Sequence, residues 1–389
     1  MNKRFFAARL AAMVLTAAAF AQDFPAYLKM VEGTVIAGCD KDDLPDNLVI
    51  PEGVTEIDHD VFSKCIYLES VVIPDSVTVI GYNAFSGCSS LKSVTIPDSV
   101  TVISYNAFSG CTSLKNVTIH KGVTAIGDGA FSGCSSLADV TIPEGVTYIG
   151  KKAFNGCTSL ASVTIPGSVK EIGSIDRYGD FVGELFEDCT SLKSVTLAEG
   201  VEQICDGMFK GCTSLASIEI PGSVTAIGSS AFDGCKSLAS VTIPESVTTI
   251  GSSAFYGCKS LASIEIPESV TAIESGAFNG TGLKTVTIPK GVKAISSEAF
   301  KGCKSLESVT LPRGVTAIGK EAFENCTSLK SVSIPRSVTA IGYSAFNYCG
   351  NLTFQYDGTK AQWEAIAKGG YISSFTVRCS DGEFSEQKW

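Results

Sequence analysis

Residues 91–113 read LKSVTIPDSVTVISYNAFSGCTS, and residues 68–90 just before them read LESVVIPDSVTVIGYNAFSGCSS; the two stretches differ at four places. The Phe of the Ala-Phe pair marks the repeat. It recurs at Phe62, Phe85, Phe108, Phe131, Phe154, Phe186, Phe209, Phe232, Phe255, Phe278, Phe300, Phe323 and Phe346. Of the twelve steps between these thirteen positions, ten are 23 residues, one is 32 and one is 22. A fixed period in this range is the signature of a solenoid. Each unit is too small to bury its own apolar face, so it stacks on its neighbours.

The consensus is L-x-S-V-T-I-P-x-S/G-V-T-x-I-G-x-x-A-F-x-G-C-x-S. Ser93, Val94, Thr95 and Ile96 alternate out and in, which predicts a half-buried strand. Pro97 ends it, because proline donates no ladder hydrogen bond. Val100 and Ile103 point inward from a second short extended piece, and YNAF reads as one helical or 3₁₀ turn. Every unit therefore sends Leu, Val, Ile, Val, Ile, Ala, Phe and Cys into a common core. The expected architecture is a mostly β, α/β-type repeat solenoid of about thirteen coils, a right-handed superhelix with a continuous parallel sheet on its concave side.

At this point the residues carry a resemblance. The L-x-x-V-x-I core is similar to the strand of leucine-rich repeats. The 23-residue form with I-P, V-T-x-I-G, A-F and G-C resembles the BspA-like leucine-rich repeat family of bacterial surface proteins, over about residues 28–380. The resemblance implies a secreted or cell-surface protein that binds host proteins or other bacteria. No Ig-like domain or sortase motif is read after the repeats, a departure from larger members of that family.

The chain ends read differently from the array. Lys3, Arg4 and Arg9 precede the apolar run LAAMVLTAAAFA at 10–21, and Ala19-Phe20-Ala21 supplies small residues for cleavage. This predicts a secretory signal peptide over 1–21. This run of twelve residues falls short of the roughly 20 that span a bilayer. Residues 22–47 are expected to form an N-terminal cap, with Tyr27, Leu28, Val31, Val35 and Ile36 over the first coil. The repeat array runs over 48–352, and 353–389 form a C-terminal cap and tail. There TKAQWEAIAKGG, 359–370, predicts a helix. Thr359 and Gln362 make a capping box, Gly369 a stop, and Trp363 and Ile366 cover the last coil.

The whole chain carries 30 basic and 40 acidic residues. Without residues 1–21 the balance is 27 against 40, or −13. An acidic chain without a clustered basic face is a poor nucleic-acid binder, and docking to anionic lipid is disfavoured for the same reason. No oligomeric state can be read from the repeat.

Twelve of the fifteen cysteines follow the repeat Phe by three residues, from Cys65 to Cys349, with Thr281 in the thirteenth place. Exported proteins often carry disulfides, but each of these would have two equivalent neighbours. The favoured reading is free thiols pointing into the core as small apolar groups. Cys39, Cys205 and Cys379 lie off this ladder; Cys379 is the best disulfide candidate, with Cys349 as its partner. Zinc is disfavoured because C-x₂₋₄-C spacing is absent. Asp58-His59-Asp60 on one turn and the lone His120 make poor metal or catalytic sites, and no phosphate-cradling glycine loop follows a strand. No enzyme activity and no cofactor are expected.

Two features carry the binding expectation. One is the inserted stretch GSIDRYGDFVGEL, 173–185, with Arg177, Tyr178 and Phe181 as interface anchors; the bland reading is a tolerated surface loop. The other is the outward strand column, Thr95, Thr118, Thr141, Thr164, Thr196, Glu219, Thr242, Glu265 and Thr287, a hydroxyl-rich surface that Thr's fit to exposed strands would also explain. It lacks aromatic platforms, so a protein ligand is ranked above a glycan. The function expected is interaction or adhesion through host or bacterial surface proteins; the competing reading is a structural envelope or matrix protein with no defined ligand.

Overall fold

A computed structural model describes residues 24–175, 181–369 and 375–386. The chain winds as stacked coils with strands on two of its sides. Strands of the S-V-T-I type pair in parallel one repeat apart. Ser93–Ile96 lies on Asn116–Ile119, and Ser162–Ile165 on Ser194–Leu197, each pair matched residue for residue. The V-T-x-I segments contribute two-residue strands such as Val102–Ile103 and Ala125–Ile126, which form a second parallel ladder. The inward residues of both ladders are buried from Leu48 to Phe354, except Ile264, which is partly buried.

The expected continuous sheet is interrupted. The wider ladder breaks after Asp139–Val140, again between Ser194–Leu197 and Ser217–Glu219, and again before Thr285–Thr287. The side-chain columns nevertheless run through these gaps, because core packing keeps each coil in register while backbone pairing varies.

The x-x-A-F segment is not a helical turn. Ser86 and Cys88 N–H donate locally to the carbonyls of Asn83 and Phe85 at 2.9 and 3.2 Å. The intervening donors reach forward to the next coil: Asn83 N–H to Tyr105 O at 3.0 Å, Phe85 to Ala107 at 2.8 Å and Gly87 to Ser109 at 2.7 Å. This alternation requires two left-handed residues per coil, here Asn83 at φ 54° and Gly87 at φ 75°. A helix would turn every N–H back along its own segment. The repeat glycine of G-C serves the second position, where most residues with a Cβ are strained.

The forward polarity leaves the first coil with carbonyls that no earlier coil can reach. The N-terminal segment meets them. Cys39 Sγ donates to Val61 O at 3.0 Å, and Lys41 Nζ donates to Ser63 O. The cap itself is an antiparallel hairpin, Leu28–Val31 with Val35–Cys39, joined in parallel to Glu56–Ile57. Leu28 and Ile36 are buried and Tyr27 packs against the core as expected, whereas Val31 is half exposed.

At the other end Trp363 and Ile366 are buried over the last coil, and the Thr359–Gln362 capping box is formed. The helix is shorter than the sequence suggests. It spans Lys360–Glu364, after which Ala367–Lys368 pairs with Ala340–Ile341. Gly369 therefore donates to Ile341 O at 2.9 Å and is no helix stop.

The core is built from stacked like residues. From Phe62 to Phe346, successive Phe rings lie 5.1–5.9 Å apart with planes within 18° of parallel. Phe354 meets Phe346 edge-on at 5.0 Å and Trp363 lies 5.1 Å beyond it, which closes the column. The ladder thiols point inward as expected. From Cys88 onward each donates to the carbonyl of the preceding coil's Phe, for example Cys111 to Phe85 O at 3.2 Å and Cys235 to Phe209 O at 3.1 Å. Cys349 makes the same bond to Phe323 O at 3.0 Å, and both it and Cys379 are free thiols, so the expected pairing is not formed. In the 22-residue unit Thr281 takes over: its hydroxyl donates to Phe278 O at 3.0 Å and touches Cys303 Sγ at 3.2 Å.

Candidate interaction surfaces

The outward strand column is one exposed row. Thr95 lies beside Thr118, Thr164 beside Thr196, Glu219 beside Thr242 and Thr287 beside Thr310. All of these, with Thr141 and Glu265, are exposed. β-branched residues suit a pleated face, and their hydroxyls keep it wettable. Where the wider ladder breaks, the face dips. A shallow groove of about 590 Å³ is lined by Asp139, Thr141, Glu144, Ser162, Thr164 and Thr196. A smaller one of about 240 Å³ follows, lined by Thr196, Glu199 and Glu219. The structure thus gathers Thr141, Thr164 and Thr196 into one depression with a carboxylate margin, while Thr95, Thr118, Thr242, Glu265 and Thr287 lie outside both grooves.

The insertion begins and ends as a hairpin, Ser174–Ile175 antiparallel to Phe181–Val182. Phe181 stands opposite Ile175; Arg177 and Tyr178 lie outside the described residues. Its base is built into the core. A Cβ on Gly183 would lie 2.1 Å from Cys205 Sγ, so the off-ladder thiol fills space that only glycine leaves open. Leu185 and Met208 replace the repeat Ala there, and both are fully buried. Burial pushes the Cys205 thiol up to about 12.

Sequence reading missed a third surface. Among the described residues, nine of the twelve exposed large apolar side chains fall between Val31 and Tyr105. On the x-x-A-F corner His59 stacks on Tyr82 at 4.6 Å, and Tyr82 meets Tyr105 edge-on at 6.5 Å. Val79 and Val102 sit exposed on the neighbouring strands. The signal lay in the variable x positions, which differ from coil to coil while the consensus does not. His59 is committed to structure: its Nδ1 accepts the Tyr82 N–H at 3.0 Å, as Asp128 and Asp206 accept from Lys151 and Ser229 farther along. Among the described residues no three His, Cys, Asp or Glu side chains gather as a metal site, and no helix is long and apolar enough to cross a membrane.

A family model described as BspA type Leucine rich repeat region matches in six copies over residues 47–175, 181–307 and 293–359. The chain belongs to the BspA-type leucine-rich repeat family. Among solved structures, this BspA-type protein is similar to a leucine-rich repeat protein from Bacteroides ovatus, at 30% identity and a TM-score of 0.71, over 90% of this chain and 100% of that one. It is also similar to a leucine rich cell surface protein from Faecalibacterium prausnitzii, at 31% identity and a TM-score of 0.53, over 88% and 97% of the two chains. The pneumococcal vaccine antigen PcpA shares the fold at 20% identity and a TM-score of 0.55, over 88% of this chain and 95% of that one. No curated protein matches the BspA-type sequence. The leucine-rich repeat solenoid is a scaffold fold, which agrees with a chain whose repeated residues are spent on core and strand.

Proposed function

We propose that this protein is exported by a signal peptide over residues 1–21 and serves as a secreted or cell-surface interaction module, adhering to proteins of a host or of other bacteria. The observation that carries this reading is the exposed hydroxyl row with its open, carboxylate-margined depression at Thr141, Thr164 and Thr196. Such a face has width and hydrogen-bonding capacity but no deep cavity, which suits an extended protein segment better than a small substrate. Asp139, Glu144, Glu199 and Glu219 border the two grooves with no Lys or Arg among the lining residues, so the partner segment is polar and basic. Family membership and the cell-surface relative from F. prausnitzii support an outside location. The insertion residues Arg177, Tyr178 and Phe181 are proposed as a second contact. No enzymatic step and no cofactor belong to this reading.

A pull-down from host-matrix and bacterial-surface extracts tests it. Specific capture by the wild-type protein is expected, with loss on Thr164→Arg/Thr196→Arg and weakening on deletion of 174–182. Absence of any specific capture would favour a structural envelope role, and capture unaffected by both variants would move the site elsewhere.

A further inference from the structure

The residue after the repeat proline, P-x, forms one column along the edge where the wider strands turn into the shorter ones. Charges along this column change sign from one end to the other. Glu52, Asp75 and Asp98 open it and Lys290, Arg313 and Arg336 close it; all six are exposed. The whole chain follows the same trend: residues 22–280 carry 31 acidic and 14 basic side chains, and residues 281–389 carry 9 and 13. Among the described residues none of these six side chains forms an ion pair with a lysine, arginine or carboxylate of its own chain; His120 Nδ1 lies 3.8 Å from Asp98, and the Glu268 carboxylate accepts the backbone N–H of Lys290 at 3.2 Å.

We propose that the partner for this edge is a second copy of the chain, laid antiparallel along it about a two-fold axis at the coil of Glu199, the seventh of thirteen. A two-fold contact joins the same patch to itself, so each coil meets the coil equally far from the other end. Glu52 then faces Arg336 of the second copy, Asp75 faces Arg313, and Asp98 faces Lys290. The fourth coil breaks the acidic run with Lys121, and the coil it meets carries Glu268. The sign reversal on one side is thus answered on the other, and four complementary pairs become eight in the dimer.

Nearer the axis Gly167 faces Gly222, which allows close approach. The like-charge meetings are Glu144 with Glu245 and Glu199 with its own copy. Lys170 reaches Gly200 O at 2.9 Å and so places an ammonium beside the second of these. Both copies have the same rise of about 4.8 Å per strand, so the register of one pair carries to the next. The threonine row lies beside this edge, and Glu144 and Glu199 belong both to the edge and to the groove margins, so the dimer and the proposed ligand compete at those two positions.

Sedimentation equilibrium of the mature protein tests the proposal. A dimer is expected in about 20 mM salt that weakens in about 0.5 M salt, as screening of exposed charges requires. Arg313→Glu, which puts two carboxylates together twice per dimer, is expected to weaken association by about tenfold or more. Asp75→Arg/Arg313→Glu, the in-register exchange, is expected to restore it. Asp98→Arg/Arg313→Glu, displaced by one coil, is not. Circular dichroism and the thermal midpoint of each variant confirm the fold. A wild-type protein that stays monomeric at low salt overturns the proposal, even if its basic end binds some other polyanion. So does a dimer indifferent to Arg313→Glu, or one rescued equally by both exchanges.

Discussion

The repeat Phe and the repeat Cys are two halves of one residue-scale device. The Phe fills the core and its carbonyl takes a hydrogen bond from the next coil's thiol, so a small, buried, weakly donating side chain is needed three residues on. Each ring after Phe62 packs between two others, so truncation opens a cavity with no nearby group to refill it. Phe209→Ala is expected to cost about 3–5 kcal/mol, read by denaturant unfolding. The thiols differ sharply in reactivity. Thirteen are buried, while Cys39 and Cys379 are half-buried. The Cys65 thiol, hydrogen-bonded to Cys39, holds Cys39 below the ordinary thiol range, and burial raises Cys379. With a disulfide reagent near pH 8, Cys39 should react first and Cys379 more slowly, the other thirteen only on unfolding; rapid titration of all fifteen in the folded protein would contradict this. Burial also pushes Cys134, Cys189, Cys235 and Cys349 up to about 12, and Cys303 to about 11, from 9.0. Above pH 9 the unfolded chain releases these protons and the folded chain keeps them. Stability is therefore full below pH 9 and falls as pH rises toward 12, by up to about 1.4 kcal/mol per pH unit for each thiol. An unfolding midpoint that does not move between pH 8 and 10.5 would refute this.

At the scale of the element, the coil tolerates change where the backbone ladder does not depend on it. The nine extra residues enter between Ile172 and Phe186, yet the forward bonds continue across them, with Lys152 N–H on Gly183 O at 2.9 Å and Phe154 on Leu185 O at 3.1 Å. Joining Gly173 to Gly183 recreates the regular I-G-x-x-A-F spacing. Deleting 174–182 should leave the thermal midpoint within a few degrees of wild type, since a surface loop contributes little beyond closure entropy. A collapse of the transition would mean that the hairpin is part of the core.

The whole molecule grows in one dimension. Thirteen coils at about 4.8 Å give a ladder on the order of 60 Å long. Small-angle scattering of residues 22–389, taken at high salt, should return an elongated particle; a globular distance distribution would be incompatible with the fold. Stability of such an array is a sum of unit and neighbour terms, so the caps matter more than their size suggests. Cys39 and Lys41 close one end by meeting carbonyls, and Trp363 closes the other by covering rings.

The period of 23, read from the Phe column, determined the solenoid, the number of coils, the inward residues and the inward thiols, because a repeated pattern buries the same positions in every unit. The capping box and Trp363 were equally legible, since they depend on local chemistry. Only the tertiary structure decided the rest. The x-x-A-F corner looks helical in isolation, but its N–H groups find better acceptors in the next coil, which forces the left-handed residues. The sheet breaks because core packing outranks strand pairing. Cys205 has no role along the chain and a clear one in space, beneath Gly183. The His59–Tyr82–Tyr105 corner and the P-x column each consist of residues 23 or so apart, variable where the consensus is silent; they become surfaces only when stacking places them side by side.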